Sequence, residues 1–452
     1  MARKFFLETF GCQMNFHDGE RMAGLLEAEG YAPVDDERQA DVVIVNTCSV
    51  RERAEEKLFT RLGEIREMSA GLNERPTVVV TGCVAQQEGP AIRRRDPAVD
   101  IIVGTQSVKQ LPALLERARP GRLEIDIDPH EDVSFPLGVV RHSDPVRAWI
   151  TIIEGCNEYC AFCVVPYTRG HERMRPAADI VAEVRAAAAS GRREVQLLGQ
   201  IVNHYQAPDD PSCDFAALLE RVSEVSGIDR IRFASPHPRH VTPRLITAIR
   251  DLPKVCKHLH LPVQSGSNRI LKAMRRRYSR EQYLALVGEL RSTIPGIALS
   301  TDVIVGFPGE SDEDFALTLD LVERARYHSM FSFKYSPRPN TLAIKRMPND
   351  VTEGEKTRRI LALQGRQREI QQSLFAESVG TIAEVLVDGL SKRRSTELSG
   401  RTTGNTIVNF PGPADWIGTL QSVRITEAAP NSLRGEPAAA GELVGAGGAH
   451  AR

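Results

Sequence analysis

Gly155-Cys156-Asn157-Glu158-Tyr159-Cys160-Ala161-Phe162-Cys163 places three thiols on one short loop with C-x3-C-x2-C spacing. Three thiolates this close can hold three irons of a [4Fe–4S] cube and leave the fourth iron open to chelate a substrate or cofactor. The competing chemistry is structural zinc, which takes four ligands and usually draws them from paired C-x2-C knuckles. No fourth Cys or close His completes this loop, because His171 lies beyond the turn Pro166-Tyr167-Thr168-Arg169-Gly170. Iron–sulfur chemistry fits the loop better than zinc.

Cys12, Cys48 and Cys83 are far apart in sequence, and each alone would read as a small buried hydrophobe. Their shared setting changes that reading. Each follows a short apolar run: Phe5 to Phe10, Val42 to Val45 and Val78 to Val80. If these runs are parallel strands, their carboxyl ends bring three thiols to the edge where open α/β sheets bind ligands, which suits a second [4Fe–4S] cluster. Cys213 and Cys256 lack such a setting and read as structural.

The elements that must hold these loops follow from pattern. Residues 3–119 alternate β-branched runs, including Ile101-Ile102-Val103, with charged helical stretches, as expected of an open α/β domain. Residues 120–147 show no clear periodicity and read as a linker. Over 148–374 a strand-then-helix unit repeats six times, predicting a partial (β/α)6 barrel with strands at 149–153, 195–198, 231–234, 258–263, 298–305 and 330–335. Ser311-Asp312-Glu313-Asp314 resembles a capping box, and Gly191 sits where a helix should stop. Residues 377–430 turn to short strands between Gly and Pro, predicting a small β-barrel. The Ala- and Gly-rich stretch 433–452 is expected to be a disordered tail. The fold class is thus α/β multidomain.

A chain of 452 residues, 41% of them hydrophobic, can fill two to four domain cores. With 58 basic against 59 acidic side chains, any polyanion-binding surface must be local. No apolar run is long enough to span a bilayer, and the first ten residues carry Glu8 and no leader pattern. A cytoplasmic protein without membrane contact is expected, in whose reducing surroundings eight cysteines serve as ligands or core rather than disulfides.

The C-x3-C-x2-C loop after the first strand of a partial barrel resembles the radical S-adenosylmethionine superfamily. Glu8-Thr9-Phe10-Gly11-Cys12-Gln13-Met14-Asn15, Asn46-Thr47-Cys48-Ser49-Val50-Arg51, Gly82-Cys83-Val84-Ala85-Gln86, Leu261-Pro262-Val263-Gln264-Ser265-Gly266-Ser267, Ile304-Val305-Gly306-Phe307-Pro308-Gly309-Glu310 and Leu398-Ser399-Gly400-Arg401 are similar to the methylthiotransferases within it. The match runs from residue 3 to about 435. Gly11-Cys12-Gln13-Met14-Asn15 and Asn409-Phe410-Pro411-Gly412-Pro413 look like the branch that acts on tRNA, whereas the branch acting on a ribosomal-protein aspartate usually has Gly-Cys-Pro-Lys-Asn at the first cysteine. Met174 departs from the family's pattern, which has a small polar residue there.

The resemblance implies a radical reaction at C2 of a prenylated adenosine beside the anticodon of tRNA, position 37. S-adenosylmethionine would serve both as methyl donor and as radical source. Cys156, Cys160 and Cys163 would bind the cluster that cleaves it, and Cys12, Cys48 and Cys83 the cluster that handles sulfur. A carbon neither acidic nor electrophilic enough for ordinary bases and nucleophiles agrees with radical chemistry. Phe162 would pack near the adenine, and Gly199, Gln200, Ser235, Gln264, Asp302 and Val305 at strand ends are candidate contacts to S-adenosylmethionine. A flavodoxin or ferredoxin would donate electrons, a separate system would supply sulfur, and the enzyme would act as a monomer.

Arg275-Arg276-Arg277, Arg358-Arg359 and Lys392-Arg393-Arg394 are the densest basic groups outside the first domain, although charge runs are usually solvated faces. Residues 377–430 hold five basic and six acidic side chains, so the case for RNA there rests on Lys392, Arg393, Arg394 and Arg401 and on resemblance to the TRAM module. Contact with a single-stranded loop would suit the chemistry, because a base must be unstacked to present its ring carbon. Two alternatives stand beside this reading: methylthiolation of a protein side chain, and a non-catalytic iron–sulfur RNA-binding or sensor protein.

Overall fold

Six parallel strands, β1 (Lys4–Phe10), β2 (Ala32–Pro33), β3 (Val42–Thr47), β4 (Thr77–Gly82), β5 (Ile101–Val103) and β6 (Glu124–Asp126), form one sheet in the order β2-β1-β3-β4-β5-β6. The structure, a computed structural model, describes residues 2–49, 52–72, 74–119, 121–130 and 140–439. Successive strand residues point to opposite faces, and both faces are covered. Val43, Val45, Val78 and Val80 pack with Leu58, Leu62 and Ile65 on one side, while Val42, Ile44 and Val79 pack with Met22, Leu26 and Leu111 on the other. Continuous apolar runs were therefore the correct signature of these strands.

The expected linker differs in part. Glu124–Asp126 is the sheet's edge strand, with Leu123 and Ile127 packed on its core. The alternation of Leu123, Ile125 and Ile127 with charged residues carries that signal. Residues 131–139 of the expected linker, including Pro136, lie outside the described residues.

Six parallel strands follow: β7 (Arg147–Thr151), β10 (Glu194–Leu198), β11 (Arg230–Phe233), β12 (His258–His260), β13 (Ala298–Val305) and β14 (Ser329–Lys334). A small antiparallel pair, β8 (Ile153–Glu154) with β9 (Arg173–Met174), lies between the first two. The large strands form two sheets, β11-β10-β7 and β12-β13-β14, linked by a parallel bridge between Ile231 and Val255. The result is an arc of six strands whose interior and helix-facing sides share one apolar cluster. Ser311 and Asp314 make the expected capping box, and Gly191, at φ +90°, follows the helix Ala177–Ala189.

The last unit is a closed barrel of β15 (Ile382–Leu390), β16 (Glu397–Thr402), β17 (Ile407–Pro411), β18 (Leu420–Ala428) and β19 (Leu433–Pro437), in the order β15-β16-β17-β19-β18. Here the expectation that a tail begins at residue 433 is corrected. β19 closes the barrel between β17 and β18, with Leu433 buried and Gly435 so close to the Arg424 carbonyl that a Cβ would lie 2.5 Å from it. One apolar anchor beside Gly and Pro leaves little strand signal. Residues 440–452 of that tail lie outside the described residues.

Candidate functional site

Sheet register brings the first three cysteines together. Phe10, Thr47 and Gly82 occupy one row across β1, β3 and β4, so the chain leaves all three strands at the same edge. The edge includes the topological switch point, where β1 lies between β2 and β3, and doubly wound sheets bind ligands at such a point. Gly82 is required for the last of these turns: its φ is +91°, and a Cβ would stand 2.3 Å from the Thr47 carbonyl oxygen. The Cys48 thiol is hydrogen-bonded to Cys12 and Cys83, which brings the Cys12 thiol down to about 7 and the Cys83 thiol to about 6. Cys48 is pushed up by the same bonds. Burial opposes the two reductions, and the nearby Arg169 guanidinium favours them.

Arg169 belongs to the segment that follows the second triad. Its Nη2 donates to Asp18 Oδ2 at 2.7 Å, and both side chains are buried. Arg21 Nη1 reaches Glu154 at 2.7 Å, Thr105 Oγ1 donates to the Thr168 carbonyl at 2.5 Å, and Gln106 Nε2 donates to the Arg169 carbonyl at 2.8 Å. Phe16 packs on Trp149 with ring centroids 6.0 Å apart. These contacts dock the N-terminal domain beside β7, β8 and the segment that follows the second triad.

The second triad begins directly after β8. Gly155, at φ +79°, sits where a Cβ would lie 2.0 Å from the His171 carbonyl oxygen, and the Cys156 amide donates to the Gly170 carbonyl at 3.1 Å. The loop is thereby fastened to the Arg169-bearing segment. Burial pushes the Cys156 and Cys163 thiols up to about 12. Arg276 Nη1 lies 3.4 Å from Cys160 Sγ.

The two triads fit iron–sulfur clusters in different ways. In the first, Cys48 and a buried cation favour the ionised Cys12 and Cys83 sulfurs, and the second offers three thiols on one loop whose protons metal binding would displace. Among the described residues no three His, Cys, Asp or Glu side chains are gathered as a cage for a single metal ion.

The candidate cofactor contacts also receive definite places. Phe162 is half-buried against Phe307, Tyr335 and Met274. Gly199 and Gln200 follow β10, and the Gln200 Oε1 is buried without a partner. Ser235 and Gln264, at φ +61° and +72°, follow β11 and β12. Asp302 faces His260 Nε2 at 3.3 Å. Val305 is wholly buried in the barrel core, and its carbonyl accepts from the Tyr335 amide at 2.8 Å. Met174 is in β9 and packs against that same core.

Sequence reasoning missed a histidine group beside the second triad. His240 Nε2 lies 2.9 Å from Glu158 Oε1, and His204 Nδ1 lies 2.9 Å from Glu172 Oε2. His237 is buried and held neutral, its pKa lowered to about 2 chiefly by burial, while its Nδ1 accepts from the Arg239 amide at 3.2 Å. His237-Pro238-Arg239-His240 directly after a predicted strand was the available signal.

Lys392, Arg393 and Arg394 are exposed on the turn between β15 and β16. Arg401 lies apart from them. Its Nε is 3.4 Å from Asp388, and Arg230 donates to its carbonyl from the barrel. Arg232 adds bonds to the Thr402 and Thr403 carbonyls at 2.7 and 3.1 Å, so this edge docks the small barrel on the large one. No helix among the described residues is long and apolar enough to cross a membrane.

Three family profiles match the chain: Uncharacterized protein family UPF0004 over 4–104, Radical SAM superfamily over 150–322 and TRAM domain over 376–438. The tRNA-2-methylthio-N(6)-dimethylallyladenosine synthase of Thermoanaerobacter pseudethanolicus is 45% identical over 437 residues, covering 96% of this chain and 92% of that protein. The synthase of the same name from an Acidovorax species is 46% identical over 447 residues, covering 96% and 98%. Among solved structures, the radical S-adenosylmethionine methyltransferase TsrM of Kitasatospora setae superposes with a TM-score of 0.57 at 17% identity, covering 76% of this chain and 77% of that one. That likeness concerns the fold alone.

Proposed function

Because the chain belongs to the tRNA-2-methylthio-N(6)-dimethylallyladenosine synthase family, we propose that its two cysteine triads divide one radical reaction on tRNA between them. The enzyme is a radical S-adenosylmethionine methylthiotransferase that makes 2-methylthio-N6-(dimethylallyl)adenosine in tRNA. The site of attack is C2 of the prenylated adenosine at position 37, beside the anticodon. Cys156, Cys160 and Cys163 would hold a [4Fe–4S] cluster with one iron left for S-adenosylmethionine. Cys12, Cys48 and Cys83 would hold a second. When bound, these groups supply an electron, the hydrogen-abstracting radical, a methyl group and sulfur.

One short segment of the chain links the two triads. Asp18 anchors Arg169, and Arg169 in turn lies against the Cys12 and Cys83 sulfurs. Through Gly170 the same segment holds the Cys156 amide. Arg169 through its side chain and Gly170 through its carbonyl thus put one short segment beside both triads, and this is the observation that carries the reading. Phe162, Gly199, Gln200, Ser235, Gln264 and Asp302, with the backbone of Val305, would line the cofactor side. The exposed Lys392-Arg393-Arg394 turn would hold RNA phosphates. Electrons would come from a flavodoxin or ferredoxin and replacement sulfur from a donor system, with the enzyme acting as a cytoplasmic monomer.

Anaerobic reconstitution tests the division of labour. The full chain should hold about eight irons, four for each cluster. Changing Cys156, Cys160 or Cys163 to Ala should abolish reductive cleavage of S-adenosylmethionine. Changing Cys12, Cys48 or Cys83 should spare cleavage and stop formation of methylthio nucleoside. Identical behaviour of the two sets would refute the division.

A further inference from the structure

Arg275-Arg276-Arg277 reads in sequence as a solvated basic run, yet Arg276 is only 5% exposed while its neighbours face solvent. The backbone makes this possible. Arg275 and Arg277 adopt φ of 60° and 59°, a left-handed conformation uncommon for non-glycine residues, and the residue between them turns inward. Strain of this kind persists where the surrounding structure enforces it, often at functional sites. Inside, Arg276 Nε donates to the Tyr278 hydroxyl at 3.0 Å, Nη2 to the Pro262 carbonyl at 2.9 Å and Nη1 to Cys160 Sγ at 3.4 Å. Tyr278 is itself fixed by the Pro262 and Val263 carbonyls at 3.2 and 2.9 Å.

The charge of this side chain is unusual in its company. Among the described residues eight arginines are buried, and seven of them have a carboxylate within ion-pair distance. Arg276 has two neutral oxygens and a sulfur instead. A buried cation needs a countercharge. A neutral thiol is a weak acceptor, whereas a metal-bound thiolate carries negative charge and takes a charge-assisted hydrogen bond.

We propose that Arg276 is a positioning residue for the barrel cluster: it donates to the Cys160 thiolate, supplies its local countercharge and raises the cluster's reduction potential. The inference rests on the reading of Cys156, Cys160 and Cys163 as cluster ligands. Hydrogen bonds to cluster sulfurs and nearby charge are established controls of such potentials. A cation beside the cluster favours its more negative, reduced state, so the sign is upward. Reduction by the external electron donor is thereby eased.

The test uses the full chain with Cys12, Cys48 and Cys83 changed to Ala, reconstituted anaerobically, so that a dithionite titration followed by electron paramagnetic resonance reads the barrel cluster. Arg276→Gln should shift the reduced-to-oxidised ratio about ten-fold toward oxidised at a given potential, a fall of about 59 mV for a one-electron couple. Arg276→Lys, which keeps charge and loses the fork, should recover part of the shift. Iron lost from Arg276→Gln and kept by Arg276→Lys would be the same interaction read at full strength. An unchanged midpoint with iron retained overturns the proposal, and so does iron lost from both variants. A shift seen only with S-adenosylmethionine present would assign the guanidinium to the cofactor's carboxylate instead. Apo Arg276→Gln should melt close to the apo parent, because a buried charge without a countercharge adds little to the metal-free fold; a large drop would make Arg276 structural. Failure of the parent itself to hold iron would count against the ligand reading and not against Arg276.

Discussion

Replacing Arg169 with Gln should undock the N-terminal sheet before it unfolds either core. Arg169 and Asp18 are 4% and 3% exposed, and their 2.7 Å contact joins the segment behind the second triad to the helix Gln13–Ala28. Without the guanidinium, Asp18 keeps Arg21 at 4.0 Å as a partner, but Arg21 is already engaged by Glu154. Breaking a buried pair from one side costs about 3–5 kcal/mol, because the remaining charge is left buried. Changing Asp18 to Asn as well removes that charge, so the double variant should recover part of the loss, with a coupling of roughly 0.5–3 kcal/mol. Trp149 reports the interface directly through Phe16, and Trp416→Phe makes it the sole tryptophan. Urea titration of its fluorescence should show the midpoint fall by about 1 M or more, taking a slope of roughly 1–3 kcal/mol per M. A loss under about 1 kcal/mol is what an exposed pair gives. That result, or a double variant less stable than the two single changes predict together, would refute the docking role.

Further outcomes follow from the same geometry. Gly82→Ala should strip iron from the first triad and leave the barrel's iron in place, measured as iron per chain, because the added Cβ meets the Thr47 carbonyl at 2.3 Å in a left-handed turn. Burial pushes the Glu194 carboxyl up, but Arg232 and Arg147 outweigh it and hold the group at about 2. Since this lies below the ordinary 4.5, its stabilisation is complete above about pH 4.5 and lost as pH falls toward 2: about 1 kcal/mol by pH 3.5, roughly 3 kcal/mol in all. Denaturation at pH 6 and 3.5 should show that loss in the parent and not in Glu194→Gln. Changing Lys392, Arg393 and Arg394 to Ala should weaken tRNA binding and flatten its salt dependence, by close to one unit of log–log slope for each phosphate contact removed. Arg401→Ala should chiefly lower stability, since Arg401 pairs with Asp388 where the two barrels dock.

The Cys156–Cys163 loop and the strands before Cys12, Cys48 and Cys83 were legible because both signals are local: a C-x3-C-x2-C loop has few uses, and a β-branched run names its own element. β6 and β19 were harder, since an edge strand or a closing strand needs only one or two apolar anchors. The arginines were least legible. A guanidinium looks the same in sequence whether it is solvated or buried, and what decides is a partner such as Asp18, which stands 151 residues from Arg169. This bears directly on where RNA can bind. Arg276 turns toward Cys160, Arg359 is buried on Glu310, Arg358 is paired with Glu355 and Asp312, and Arg401 is drawn to Asp388. Much of the positive charge that the basic runs seemed to offer a polyanion is therefore engaged within the fold. The outward cations that remain, Arg275 beside the barrel and Lys392 and Arg393 on the small one, lie in two separate turns, where Arg277 and Arg394 are partly engaged by Glu158 and Glu397. A near-neutral chain that held tRNA through these two turns would rely less on its overall field than on where the turns stand, so moving charge between them should disturb recognition more than changing the net charge elsewhere.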